Sequence, residues 1–185
     1  MNLAIIKYNA GNIQSVLYAL ERIGMEAVVT DDVQQIQKAD KVIFPGVGEA
    51  STAMNYFKER RLDNVIKNLE QPVLGICLGI FDEPVKHFIP VPNSMAGENT
   101  KVPQIGWNNI YNLKTSLFKD LPENSYCYFV HGYYAALGGH TIATADYILP
   151  YSAGLHKNNF YGVQFHPEKS AVAGEQILKN FITMS

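Results

Sequence analysis

Two stretches of this sequence carry reactive side chains at spacings that suit covalent catalysis. In Pro72-Val73-Leu74-Gly75-Ile76-Cys77-Leu78-Gly79, a short apolar run reads as a buried strand, and a cysteine follows at its end between two glycines. A glycine-x-nucleophile-x-glycine pattern after a strand is the sharp turn of a nucleophile elbow, where crowded backbone favours residues without side chains on either side. In Tyr161-Gly162-Val163-Gln164-Phe165-His166-Pro167-Glu168, a second strand ends at a histidine and a carboxylate follows two residues later. Together Cys77, His166 and Glu168 supply a nucleophile, a base for it and an orienter for the base. Each residue alone has a plainer reading: an inert core thiol, a strand-end imidazole satisfied by a carbonyl, a solvated loop carboxylate. The elbow glycines and the His-Pro-Glu turn favour chemistry over all three. No further ligand set accompanies His166 and Glu168 that would make them a metal site. No phosphate-cradling G-x-x-x-x-G-K-S/T occurs, and no motif demands a cofactor. His87, His140 and His156 lack a partner pattern and read as surface or structural.

These groups need a scaffold that brings them to one cleft. Leu3-Ala4-Ile5-Ile6 reads as a buried strand, and Asn9 to Asn12 as a turn that caps the next element. From Ile13 onward Val16, Leu17, Leu20 and Ile23 recur at helical spacing, with Gly24 as the stop. Ala27–Val29, Val33–Lys38 and Lys41–Phe44 read as strand, short helix and strand. A Pro-Gly loop, Pro45 to Gly48, then leads into a helix expected over Ser51–Leu69. Alternating strands and helices predict a mostly parallel sheet covered on both faces. Ligands in such sheets bind beyond the carboxyl ends of the strands, where Phe44, Cys77 and Phe165 all lie. The second half is richer in aromatics and turns (Trp107, Asn108-Asn109, Tyr126 to Tyr134, Gly138-Gly139) and reads as antiparallel strands and hairpins on the same sheet.

The 185 residues suit one domain, 1–185, with a sizeable core, and no linker or repeat divides them. A formal net charge of -2 gives no electrostatic reason to expect nucleic acid. There is no basic leader before an apolar stretch and no run of 18 apolar residues, so neither a secretion signal nor a membrane span is expected. Two cysteines in strand-like segments fit a reducing cytosol better than a disulfide framework.

Four motifs, PGVG (45–48), GICLG (75–79), FVHGYY (129–134) and GVQFHPEKS (162–170), resemble the class I glutamine amidotransferases from end to end. KYNAGN (7–12) and VPQIGWN (102–108) are most similar to the glutaminase subunits of imidazole glycerol phosphate synthase, in histidine biosynthesis. The resemblance implies a flavodoxin-like α/β fold that hydrolyses glutamine to glutamate. It also implies that the ammonia passes to a cyclase subunit, a (β/α)8 barrel, without a cofactor. It makes Cys77 the nucleophile, His166 the base and Glu168 its orienter. Oxyanion donors would come from the backbone at Leu78 and from Gly46, Val47 and Gly48, the latter after a flip that couples the glutaminase to the synthase. Gly132 and Tyr133 would contact glutamine, with backbone alone at Gly132, where the family usually carries serine. His131 matches a family position outside the triad, and Asn12, Tyr134 and Lys169 would lie near the partner.

The chain departs from this pattern after Gly79. The family continues from GICLG into a helix opening with methionine-glutamine, whereas this chain runs Gly79-Ile80-Phe81-Asp82-Glu83-Pro84. A parallel crossover needs about a dozen residues or more, and Pro84 forbids a long helix immediately after Cys77. Two explanations follow: further polypeptide between Gly79 and Ile80, which would separate their Cα atoms by far more than the usual ~3.8 Å, or a truly short elbow and an impaired cleft. The competing functions are accordingly a binding-only subunit, an amidotransferase subunit of another pathway such as anthranilate or aminodeoxychorismate synthesis, and, more distantly, a flavin-binding module of similar topology.

Overall fold

A computed structural model describes residues 1–8, 12–46, 56, 60, 62–77, 85–89 and 101–184. In chain order the elements are β1 (Leu3–Ile6), α1 (Ile13–Arg22), β2 (Val28–Thr30), α2 (Val33–Lys38), β3 (Lys41–Phe44), α3 (Leu62–Lys67), β4 (Val73–Ile76) and β5 (Val85–His87). They continue with β6 (Gln104–Ile110), β7 (Ser125–His131), β8 (Tyr133–Ala135), β9 (Thr141–Asp146), β10 (Pro150–Lys157), β11 (Phe160–Val163) and α4 (Ala171–Thr183), with 3-10 turns at Ser116–Phe118 and Pro167–Lys169.

A seven-stranded sheet in the order β2-β1-β3-β4-β11-β10-β9 forms the centre. Its first five strands are parallel, and β10 and β9 continue it antiparallel. All four residues of β1, β3 and β4 are buried, because helices cover both faces of the parallel part. Successive side chains feed opposite cores. Leu3, Ile5, Ile43, Leu74 and Ile76 join Val16, Ala19 and Leu20 of α1 and Ile177, Leu178 and Phe181 of α4. Ala4, Ile6, Val42, Phe44 and Val73 join Ile36 of α2 and Leu62 and Ile66 of α3. The α1 stripe ends at Gly24, in the left-handed region with φ 74. Asp32 caps α2 by accepting the Gln35 N–H at 2.9 Å.

Three features differ from the sequence expectation. Of the expected 51–69 helix, Tyr56 and Leu62–Lys67 are helical and Arg60 is a turn, while residues 51–55, 57–59 and 61 lie outside the described set. Asn108-Asn109 is no turn but sits inside β6, paired residue for residue with β7. The Asn108 amide donates to the Asp146 carbonyl at 2.7 Å, so it ties the ribbon to β9 instead of bending its own backbone. The C-terminal helix α4 carries no strong sequence signal. Lys41 anchors its end, donating Nζ to the carbonyls of Phe181 (2.9 Å) and Met184, where a cation also complements the helix terminus. Among the described residues, no helix is long and apolar enough to cross a membrane.

Candidate active site

β4 delivers Cys77 to the carboxyl edge of the sheet. Cys77 has φ 62, in the left-handed region that a side chain occupies at a cost of about 1–3 kcal/mol. This is the strained turn expected of a nucleophile elbow. Gly46, just beyond β3, lies against it. A Cβ on Gly46 would come 3.2 Å from the Cys77 Cβ, a tight contact that the absence of a side chain at Gly46 relieves.

The neighbouring strand brings the second stretch alongside. β11 runs parallel to β4 with Val163 opposite Ile76, so the residues after Val163 emerge beside Cys77. Gln164 donates Nε2–H to the Cys77 sulfur at 3.5 Å. Two residues on, the His166 N–H donates to the Tyr128 carbonyl at 2.9 Å, joining the site to β7. Pro167–Lys169 then turn tightly, and His166 Nδ1 meets Glu168 Oε1 at 2.8 Å. Ser170 locks this turn: its Oγ donates to the His166 carbonyl at 2.6 Å and accepts the Tyr128 N–H at 2.9 Å. The turn rests on α4 through Gly174, where a Cβ would fall 1.9 Å from the Pro167 carbonyl oxygen.

The Glu168 side chain is 1% exposed and that of His166 13%. Asn12 Nδ2 donates to the same Oε1 at 3.2 Å, while Asn12 Oδ1 accepts the Ser15 hydroxyl at 2.6 Å. Glu168 Oε2 is buried and has no hydrogen-bond partner among the described residues. With Nδ1 turned to the carboxylate, Nε2 is the imidazole nitrogen left for proton transfer. Burial pushes the Cys77 thiol up to about 11; the Gln164 bond opposes this and the charge of Glu168 adds to it. The thiol is therefore protonated at rest and needs a base. Burial also pushes His131 down to about 4, so this ring is neutral. His131 Nδ1 donates to the Tyr133 carbonyl at 2.8 Å, and its Nε2 lies 3.3 Å from the Tyr151 hydroxyl.

The remaining expected site residues divide. Gly132 and Tyr133 follow β7 directly; Tyr133 is 58% exposed and packs edge-on to His87. At Gly132 a Cβ would meet nothing closer than 3.7 Å, so the site has room for a side chain that this sequence does not supply. Tyr134, expected near a partner, points the other way. It is 8% exposed and stacks on Phe88 with ring centres 4.5 Å apart, because alternation along β8 turns it into the core and Tyr133 outward. Lys169 is exposed. Val47, Gly48, Leu78 and the Gly79–Ile80 junction lie outside the described residues. Sequence reasoning missed Gln164 and Ser170 and gave Asn12 a different role. Gln164 and Ser170 do stand inside the 162–170 motif, on either side of the residues it marks.

The sequence model described as glutamine amidotransferase class-I matches residues 4–184. Imidazole glycerol phosphate synthase subunit HisH of Bacteroides fragilis is 52% identical over 201 aligned positions that span the whole of both chains. The subunit of the same name from Pasteurella multocida is 42% identical, covering 98% of this chain and 97% of its own. Among solved structures, a putative GMP synthase protein from Thermoplasma acidophilum superimposes with a TM-score of 0.76 at 18% identity, over 98% of this chain and 92% of that one. A glutamine amidotransferase from Thermotoga maritima gives 0.64 at 17% identity, over 98% and 82%. These two show the fold. The 201 aligned positions exceed the 185 residues here by 16, a shortfall of the size of the crossover expected after Gly79. A mostly parallel sheet, an elbow cysteine beside a His-Pro-Glu turn and full-length identity of this order lead to one assignment: the chain belongs to the class I glutamine amidotransferases, among the HisH subunits of imidazole glycerol phosphate synthase.

Proposed function

We propose that residues 1–185 form one amidotransferase domain that hydrolyses glutamine with Cys77, His166 and Glu168. His166 Nε2 takes the thiol proton as the sulfur attacks the side-chain carbonyl carbon. The tetrahedral intermediate collapses to a thioester, and His166 returns the proton to the departing ammonia. Water, activated by the same nitrogen, then releases glutamate and restores the thiol. Glu168 holds the imidazole in the tautomer with Nε2 free and stabilises its charged form. The observation that carries this reading is the His166–Glu168 pair at 2.8 Å, in the turn just beyond β11, the strand hydrogen-bonded to β4, which leads into Cys77.

The ammonia goes to a cyclase subunit docked against this chain, since release into water would protonate it and end its nucleophilicity. The outer face of the β6–β7 ribbon supports such a docking. Ile105, Trp107, Tyr126 and Val130 share that face and are 36–64% exposed, while Gly106, Cys127, Phe129 and His131 face inward. A contiguous exposed apolar strip is the usual mark of an interface. β7 also holds His166 through Tyr128 and runs into Gly132, so it links that face to the site.

The test is glutamate release from glutamine by the complete chain with the cyclase and its ligand, alongside Cys77→Ala. Turnover that Cys77→Ala abolishes supports the proposal. A second reading is favoured by the short span between Cys77 and Val85 and by the 16 unmatched positions: a subunit that docks but does not hydrolyse. A chain that binds the cyclase yet releases no glutamate would establish it.

A further inference from the structure

We infer that His87 is a substrate-binding residue: its imidazole N–H donates to the α-carboxylate of glutamine, in the space left open by the missing side chain at Gly132. The inference rests on the glutaminase reading above and on glutamine lying against Gly132 and Tyr133. Strand pairing fixes His87 at this place. Val85, Lys86 and His87 of β5 pair antiparallel with Ala135, Tyr134 and Tyr133 of β8. The pairing reaches one residue further, where the Phe88 N–H donates to the Gly132 carbonyl at 3.0 Å. Phe88 is fully buried and stacks on Tyr134, so alternation turns its neighbour His87 to the opposite face, beside Tyr133. The His87 and Tyr133 rings meet edge-on, with centres 4.8 Å apart and planes at 76°.

At Gly132 there is a gap. A Cβ built there would have His87 Nε2 as its nearest neighbour, at 3.7 Å, with Pro103 and Val102 at 3.8 Å. A ligand atom entering the gap comes within hydrogen-bond reach of that ring nitrogen. His87 is exposed, and its ring nitrogens bond to no described residue. None of the described residues accepts the Gly132 N–H either. The carbonyls of the same segment are engaged: that of Gly132 accepts the Phe88 N–H, and that of Tyr133 accepts His131 Nδ1–H at 2.8 Å. The segment therefore offers a ligand donors rather than acceptors. Donors around one gap suit a negatively charged oxygen. Glutamine carries that charge only on its α-carboxylate, since its side-chain carbonyl must lie at Cys77. A serine at 132, where the family usually carries one, would put its own hydroxyl into this gap. Here His87 supplies the polar group from across the strand pair.

The test is steady-state glutamate release from L-glutamine by the complete chain bound to cyclase and the cyclase's ligand. His87→Ala is expected to raise KM for glutamine about tenfold, the size of one exposed hydrogen bond to a charged group, with kcat changed less than about twofold. His87→Gln keeps an N–H donor and should hold KM within about threefold of wild type. Gly132→Ser added to His87→Ala should lower KM again by about threefold or more, because a side chain at 132 meets only ordinary contacts and brings its own hydroxyl. A purely structural role for His87 would not respond to a hydroxyl at 132. If KM in His87→Ala stays within about twofold of wild type, the inference fails and the glutaminase reading stands. If KM rises but neither His87→Gln nor Gly132→Ser counters it, His87 only supports the Tyr133 ring and the inference fails as well. Thermal unfolding reports whether the variants fold, and failure of every His87 variant to fold has the same meaning. If the wild-type complex itself releases no glutamate, the glutaminase reading fails and takes the inference with it.

Discussion

Alkylation of Cys77 as a function of pH tests the electrostatics of the site without substrate. Burial lifts this thiol to about 11 from an ordinary 9.0. At pH 7.5 that leaves roughly 3 thiolates in 10,000, against roughly 3 in 100 for an unperturbed thiol, so the reactive form is about 100-fold scarcer. A more basic thiolate is also a better nucleophile. With a Brønsted coefficient of about 0.4–0.5, two pKa units return nearly tenfold. The net expectation for iodoacetamide is a rate about tenfold below that of a small thiol at pH 7.5. The rate should rise about tenfold per pH unit, with no plateau before pH 10. Cys127 is fully buried and pushed up to about 12, so it should stay unmodified in the folded chain and serve as the internal control. Mass spectrometry of the two cysteine peptides after timed quenching gives both rates. A plateau below pH 9 would refute the reasoning: it would mean that His166 or an unaccounted donor already holds a thiolate at rest.

Two further predictions concern the supports of the site. His131 stays neutral in the folded chain down to about 4, while in the unfolded chain it takes a proton below the ordinary 6.5. The unfolded state then binds the extra proton, so stability falls as pH drops from 6.5 to 4, by about 3 kcal/mol in all; urea midpoints at pH 7 and 4.5 should show a steeper loss in wild type than in His131→Gln, and equal slopes would refute it. In Gly174→Ala the new methyl meets the Pro167 carbonyl carbon and oxygen at 2.8 and 1.9 Å. Backbone atoms cannot swing aside, so α4 must shift, at about 3 kcal/mol or more, and displace the His166–Glu168 turn; a parent-like Tm with unchanged glutaminase rate would disprove the close approach.

What the sequence made legible follows from how each segment is buried. β1, β3 and β4 are covered on both faces, so burial wrote them as unbroken apolar runs, and the α1 stripe survives as a helical period. The helix α4 was hidden because its irregular residues answer to distant partners. Gly174 is small to admit Pro167, and the buried Asn180 donates to the carbonyls of Leu117 and Lys119. That the Tyr134 ring turns inward was not legible, because β8 has three residues, too few for alternation to reveal its face. Cys77 and the His-Pro-Glu turn were visible because elbow and turn chemistry is local. Gln164 and Asn12 were not, since they act on residues 87 and 156 positions away. Local pattern marks the candidate reacting groups, whereas the groups that hold them are brought up by tertiary packing, Gln164 by the register between β4 and β11 and Asn12 from the start of α1.

The two halves of the proposed machinery are not equally ready. On the histidine side, Glu168 already orients the ring, Ser170 fixes the turn, and burial of the pair leaves little to reorganise. On the cysteine side, the sulfur sits on a strained turn and is held as a thiol by burial. A subunit whose product must not escape into water gains from this asymmetry, because hydrolysis waits on the nucleophile while the acid–base pair stands assembled. Two ways for a partner to raise the rate leave different kinetic signatures. A partner that lowers the thiol pKa would shift the acidic limb of the pH–rate profile downward. One that acts only on the charge developing at the oxyanion would raise kcat at every pH and leave that limb where it was. With the sulfur held as a thiol by burial, the first pattern is expected, and a cyclase-induced gain in kcat that leaves the limb in place would put the restraint elsewhere.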